Sequence, residues 1–166
     1  MNTNTKKTIY LLSGIPWLGS GKSTWAKKKL LENKGVRCSR DTVRFSFIKE
    51  GDEYFSKENE VFDTWITLIR NTLMDPRIES VYVDATHLND KSRNKTLNRL
   101  PRDNIKEIVN VVFTTPIEVC LERNKNRTGL EFVPENVIKN MAKSFQMPKK
   151  YRTIFINENG EEEKHE

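Results

Sequence analysis

The chain has 166 residues, of which 36% are hydrophobic and 31% charged, with a formal net charge of +6. That length fits one domain with its own core. No apolar run approaches the roughly 20 residues that span a bilayer, and Met1 to Lys7 lacks the apolar stretch and cleavage site of a signal peptide, so a cytoplasmic protein is expected.

Two cysteines, Cys38 and Cys120, cannot build a disulfide framework and read as reduced thiols near the core. The tail from Glu158 to Glu166 holds five Glu and one Lys, net −4, which leaves +10 on residues 1–157. A folded part this basic suits a polyanionic partner, although a solvated lysine-rich surface has the same charge. Residues 1–157 are therefore read as the domain and 158–166 as a disordered acidic tail.

In chain order, Thr8 to Ser13 reads as a buried strand. A helix follows from Lys22 to about Asn33 and stops at Gly35. Val36 to Ser39 is a second strand, with a helix starting at Asp41. Ser56 is placed as the cap of a long helix reaching Met74, with Val61, Phe62, Trp65, Leu68, Ile69 and Leu73 forming its core stripe. Val81 to Asp84 is the third strand. Asn89 caps a helix that ends near Leu100-Pro101. Ile108 to Phe113 is the fourth strand. Thr115-Pro116-Ile117-Glu118 reads as a capping box with proline at the first helical position. Val133-Pro134 opens a helix reaching Phe145, and Thr153 to Ile156 is a fifth strand. Apolar strands without strict alternation, separated by helices, predict an α/β fold. Its parallel sheet of about five strands is covered on both faces, with ligands at the carboxyl ends.

The first strand runs through Gly14-Ile15-Pro16-Trp17-Leu18 into Gly19-Ser20-Gly21-Lys22-Ser23-Thr24 and then a helix. Glycines let successive backbone N–H groups converge on phosphate oxygens, and the helix N-terminus adds positive potential. This is a P-loop: Gly19, Ser20, Gly21, Lys22, Ser23 and Thr24 would cradle ATP. Lys22 would neutralise the β- and γ-phosphates, and the Ser23 hydroxyl would hold Mg²⁺. The strict spacing asks for glycine at position 16, where this chain has Pro16. Trp17-Leu18 therefore reads as an insertion bulging away from an intact cradle.

Acidic and basic residues follow the other strands. Asp41, at a helix start, can accept the proton of an attacking hydroxyl, with orientation as its main service in phosphoryl transfer. Arg40 and Arg44, four apart, share a helix face, and either can hold a substrate phosphate. Asp84, at the end of an apolar strand, suits a water-mediated Mg²⁺ contact, a substrate or an arginine partner. His87 reads as a polar loop residue, and Arg93 is expected to face the same cleft. Arg123 and Arg127, four apart and ahead of the Gly129 break, read as the basic end of a lid over about 123–133 that brings arginine to the transferring phosphoryl group.

Gly19 to Ala26, Arg40-Asp41 with Arg44, Asp84-Ala85-Thr86 through Asn89 to Arg93, and Arg123 to Arg127 followed by Val133-Pro134 occur in this order between about residues 8 and 147. In this they resemble the 5′-kinase domain of phage-type polynucleotide kinases and related small P-loop kinases. The resemblance implies a P-loop NTPase kinase fold with an arginine-bearing lid. It implies Lys22 and Ser23 on ATP and Mg²⁺, and Asp41 as general base toward a 5′-hydroxyl. It implies Arg44 on the substrate phosphate and Asp84, Thr86, Asn89 and Arg93 in the acceptor cleft. Arg127, helped by Arg123, would act at the transition state. The expected activity is ATP-dependent phosphorylation of a hydroxyl, preferably the 5′-OH of a nucleic acid. A kinase for a small molecule and a non-catalytic ATP-binding switch are the rival readings.

Overall fold

The computed structural model describes residues 6–14, 22–129 and 132–163, and for Lys22 and Ser23 the backbone alone. The elements are β1 (Lys7–Gly14), α1 (Lys22–Glu32), β2 (Gly35–Ser39), α2 (Arg40–Phe47), α3 (Glu58–Leu73), β3 (Ser80–Asp84) and α4 (Asp90–Leu97). They continue with β4 (Ile105–Phe113), α5 (Ile117–Lys125), α6 (Glu135–Ser144), β5 (Arg152–Ile156) and β6 (Glu162–Glu163). The sheet order is β2-β3-β1-β4-β5-β6. β2, β3, β1, β4 and β5 are parallel, as expected.

The sixth strand arises inside the tail read as disordered, and it pairs antiparallel with β5. Local turn chemistry explains it. The Asn157 side chain accepts from the Asn159 and Glu161 amides at 2.9 and 3.0 Å, and Gly160 takes the left-handed conformation at φ 76°. An Asn-Gly turn of this kind folds a chain back on itself.

Adjacent residues of a strand face opposite sides, and here both sides are packed. Ile9, Leu11, Val81 and Val83 meet Val61, Trp65, Ile66 and Ile69 of α3 and Leu97 of α4. On the other face Leu12, Tyr82, Val111 and Phe113 meet Trp25 and Ala26 of α1. Gly35 is glycine for a packing reason, since a Cβ there would lie 2.6 Å from the Tyr82 ring.

Three helix starts differ from expectation. α2 begins at Arg40 because the Ser39 hydroxyl caps it, accepting from the Thr42 amide at 3.3 Å. α3 begins at Glu58 after Lys57 with no side-chain cap, so Ser56 is not its cap; Ile66 takes the core position and Leu68 faces out. Pro116, with ψ 146°, is the cap of α5 rather than its first residue. Asn89 caps α4 as expected, in a reciprocal capping box with Ser92.

Candidate functional site at the carboxyl edge of the sheet

Strand register builds the site. Leu12, Ser39 and Asp84 stand level on β1, β2 and β3. The end of β1 at Gly14, the Arg40-Asp41 start of α2 and the Ala85–Asn89 loop therefore gather at one edge. The chain passes from β1 to β2 and back to β3, then crosses to β4 on the far side of β1. Such a reversal of direction leaves a crevice at the strand ends.

A cleft of about 280 Å³ opens there, lined by Arg40, Asp41, Arg44, Phe55, Glu58, Ala85, Thr86, Leu88 and Met141. Its charged wall is a network. Arg44, 5% exposed, donates to both carboxylate oxygens of Glu58 at 2.9 and 2.6 Å. It also donates to the Asp41 carboxylate and stacks over the rings of Tyr54 and Phe55. Burial opposes the Arg44 charge, but the Glu58 hydrogen bonds and the Asp41 carboxylate outweigh it and hold its pKa above the usual arginine range. Burial first, and the Asp41 carboxylate second, push the Tyr54 phenol well above its ordinary value, so it stays protonated and donates to Asp41 at 3.3 Å.

Arg40 is held less completely. It donates to Glu58 at 3.4 Å, its cation lies over Phe62 and Trp65, and its Nε is buried without a hydrogen-bond partner. Burial lowers its pKa, with Glu58 opposing the shift.

The structure brings Asp41, Arg44 and Thr86 into one cleft and holds three other expected cleft residues in internal contacts. Asp84 is buried and accepts from Arg37 Nε at 2.8 Å, so its partner is an arginine of the neighbouring strand. Asn89 spends its side chain on the cap of α4. Arg93, 3% exposed, donates to the Ser13 hydroxyl at 3.3 Å, Asp90 at 3.0 Å and the Gln146 carbonyl at 2.6 Å. A buried guanidinium needs such partners, so it turns inward instead of facing the cleft. His87 is also buried, hydrogen-bonded to the Leu12 carbonyl at 2.7 Å.

Gly19, Ser20, Gly21 and the bulge read at Trp17-Leu18 lie outside the described residues. Lys22 and Ser23 are the first two residues of α1, Thr24 is exposed, and the first turn of α1 holds no acidic residue. A helix start without carboxylates keeps its positive end available to an anion. The Gly14 amide donates to the Thr86 carbonyl at 3.2 Å, which ties the end of β1 to the loop after β3.

Arg123 and Arg127 do not line the cleft. Arg123 donates to the Glu158 carbonyl at 2.9 Å, and Arg127 follows α5, partly buried. Asn124 clasps Val133 through both its amide and its carbonyl, at 2.7 and 3.1 Å, closing the base of the intervening segment. Sequence reasoning missed Glu58, Tyr54, Phe55, Leu88 and Met141. Leu88 lies within the Asp84-to-Asn89 stretch but carries no chemistry that marks it; the other four carry no local motif and join the cleft or its network only through packing between distant elements.

A parallel sheet in this order, with a Gly-Lys-Ser loop leading into α1, defines the fold of the P-loop kinases. The chain belongs to the AAA domain family, whose model matches residues 11–148.

Among solved structures it is similar to a chain of the Pnkp1/Rnl/Hen1 RNA repair complex, at TM-score 0.68 and 22% identity. That match covers 84% of this chain, which spans only 44% of the other. A gluconokinase from Sinorhizobium meliloti matches at TM-score 0.56 and 19% identity, over 92% of this chain and 83% of that one. Kti12 from Chaetomium thermophilum, in complex with ADP-AlF3, matches at 0.57 and 14%, over 85% and 81%.

Proposed function

We propose that the chain is an ATP-dependent kinase that transfers a γ-phosphoryl group to the 5′-hydroxyl of a polynucleotide. The observation that carries this reading is the Asp41 carboxylate, held by Arg44 and Tyr54 in a cleft beside the strand that enters the phosphate loop. A carboxylate accepting from both an arginine and a phenol is pre-oriented, which is the main service such a group gives a loose phosphoryl transition state.

Lys22 and the α1 amides would hold the nucleotide, with Mg²⁺ between its phosphates and the Ser23 hydroxyl. Among the described residues no group of three His, Cys, Asp or Glu could hold a metal. Mg²⁺ would supply charge neutralisation at the transferring group; the chain's own residues position the two substrates.

Arg44 already has its donors engaged by Glu58 and Asp41. Arg40, with an unmet Nε–H beside the cleft, is the better holder of an acceptor phosphate. Arg127 and Arg123 remain the proposed lid cations, on the arm that Asn124 closes. Likeness to a chain of an RNA repair complex supports a polynucleotide acceptor; likeness to a gluconokinase supports a sugar as the second reading.

The test is to incubate the protein with labelled ATP, Mg²⁺ and a panel of 5′-OH DNA, 5′-OH RNA, nucleosides and gluconate, with Lys22→Ala as the inactive control. Label on the oligonucleotides is expected, and label on gluconate alone overturns the reading.

A further inference from the structure

The cleft has a second wall that phosphate chemistry does not explain. Besides Arg40, Asp41, Arg44 and Glu58, the cleft is lined by Phe55, Ala85, Leu88 and Met141. Phe55 is 41% exposed, a large fraction for a phenylalanine on a site that otherwise buries its aromatic rings. Its ring is braced from behind. Tyr54 meets it edge-on with centroids 4.8 Å apart and planes at 83°, and the Arg44 guanidinium lies 5.4 Å from its centroid. Tyr54 in turn packs against Val133 and Ile138, the small cluster that joins α5 to α6. Phe55 is thus a supported, partly exposed ring on the same cleft as the carboxylate proposed to take the acceptor's proton.

A sugar offers such a ring only a small C–H face broken by hydroxyls. A nucleobase offers a whole flat face, and stacking on aromatic side chains is how proteins hold single-stranded ends without reading their sequence. We infer that Phe55 is the platform on which the base of the acceptor's 5′-terminal nucleotide stacks, with Leu88 and Met141 closing the apolar side of the cleft. This rests on the polynucleotide reading and deepens it: it assigns the residue that makes the cleft prefer a nucleoside end over a bare sugar. The charged wall then handles the hydroxyl and the first phosphate, and the apolar wall handles the base.

The test compares a 5′-OH oligonucleotide carrying a normal terminal base with one whose 5′-terminal residue is an abasic tetrahydrofuran. Base–aromatic stacking corresponds to a preference of roughly 5- to 150-fold. The wild-type protein is expected to favour the base-bearing end in kcat/KM within that range. Phe55→Ala should bring the two ends to near equality by raising KM for the base-bearing one, while Phe55→Trp restores the preference. ATP affinity, measured by calorimetry on each variant, should stay within about twofold, which separates lost stacking from lost folding. If the wild type phosphorylates both ends equally well, or if Phe55→Ala keeps the full preference, the platform is wrong while the polynucleotide reading stands. If neither end is phosphorylated but gluconate is, both fall together.

Discussion

The Asp41 carboxylate accepts from Arg44 and from Tyr54, and the two donors together fix its direction. Asp41→Asn keeps an oxygen for both donors and removes only the ability to take a proton. The expected result is a fall in single-turnover rate of about 10²- to 10⁴-fold with ATP affinity nearly unchanged in calorimetry; a matching loss of ATP binding would make Asp41 a structural group. The two cysteines make a separate prediction. Burial pushes the Cys38 thiol from 9.0 up to about 11 and Cys120 to about 12. Both protons are bound more tightly in the folded chain than in the unfolded one, so this contribution to stability is complete below about pH 9 and is lost as pH rises through about 11 to 12. Urea midpoints should therefore fall between these limits, less so in a Cys38→Ala/Cys120→Ala variant, and a thiol reagent at neutral pH should find both groups only after denaturant is added. That the cysteines are core thiols was legible in their number and apolar neighbours. That Arg44 would be saturated and Arg40 left with an unmet donor was not, because both sit on one helix face and the difference comes from Glu58, 14 residues beyond Arg44.

At the level of elements, periodicity located the strands and helices well because most of them answer to one dominant apolar face. It failed where two signals competed. Leu68 fits the α3 stripe by hydrophobicity, yet Ile66 lies at the helical angle that meets the sheet. Ser56 and Thr115 have capping side chains, but the chain enters α3 and α5 one or two residues later, at Lys57 and Pro116. Arg93 shows a longer-range limit. It was read as a cleft residue from its spacing after Asn89, but its partners Ser13 and the Gln146 carbonyl lie 80 and 53 residues away. Through them it joins three pieces: the end of β1, the start of α4 and the connection that follows α6. Gln146 completes the clasp by donating its own amide to the Leu88 carbonyl at 2.7 Å. Arg93→Met preserves bulk and leaves these acceptors unmet, at an expected cost of roughly 2 to 4 kcal/mol in chemical denaturation. Arg93→Lys should recover only part of that, since an ammonium cannot reproduce a fork aimed at three partners. A Met variant as stable as the wild type would show that the clasp contributes nothing.

On the scale of the whole molecule, strand order and register decide what the separate motifs amount to. Gly14, Asp41 and Thr86 are far apart in sequence and meet because β1, β2 and β3 end at one level. The parallel α/β architecture could be read from the chain, but the residues that complete the cleft and its network could not, since Tyr54, Phe55, Glu58 and Met141 come from segments with no shared motif. Charge acts on this scale as well. Residues 1–157 carry +10 against −4 on the tail, and β6 holds part of that tail beside β5 rather than free to sweep the surface. If the acceptor is a single-stranded polynucleotide, each phosphate contact should release counterions, with a slope of about −0.7 per contact in log affinity against log salt. Arg40 is the proposed contact, so Arg40→Gln should weaken oligonucleotide binding and make the slope shallower by about that one increment between roughly 50 and 200 mM salt. Binding of the nucleotide donor, proposed to lie at the start of α1, should keep its own salt dependence in the same variant. A wild-type slope near zero for the acceptor would point instead to a neutral sugar, because an uncharged substrate has no counterions to release whatever the charge of the surface it meets.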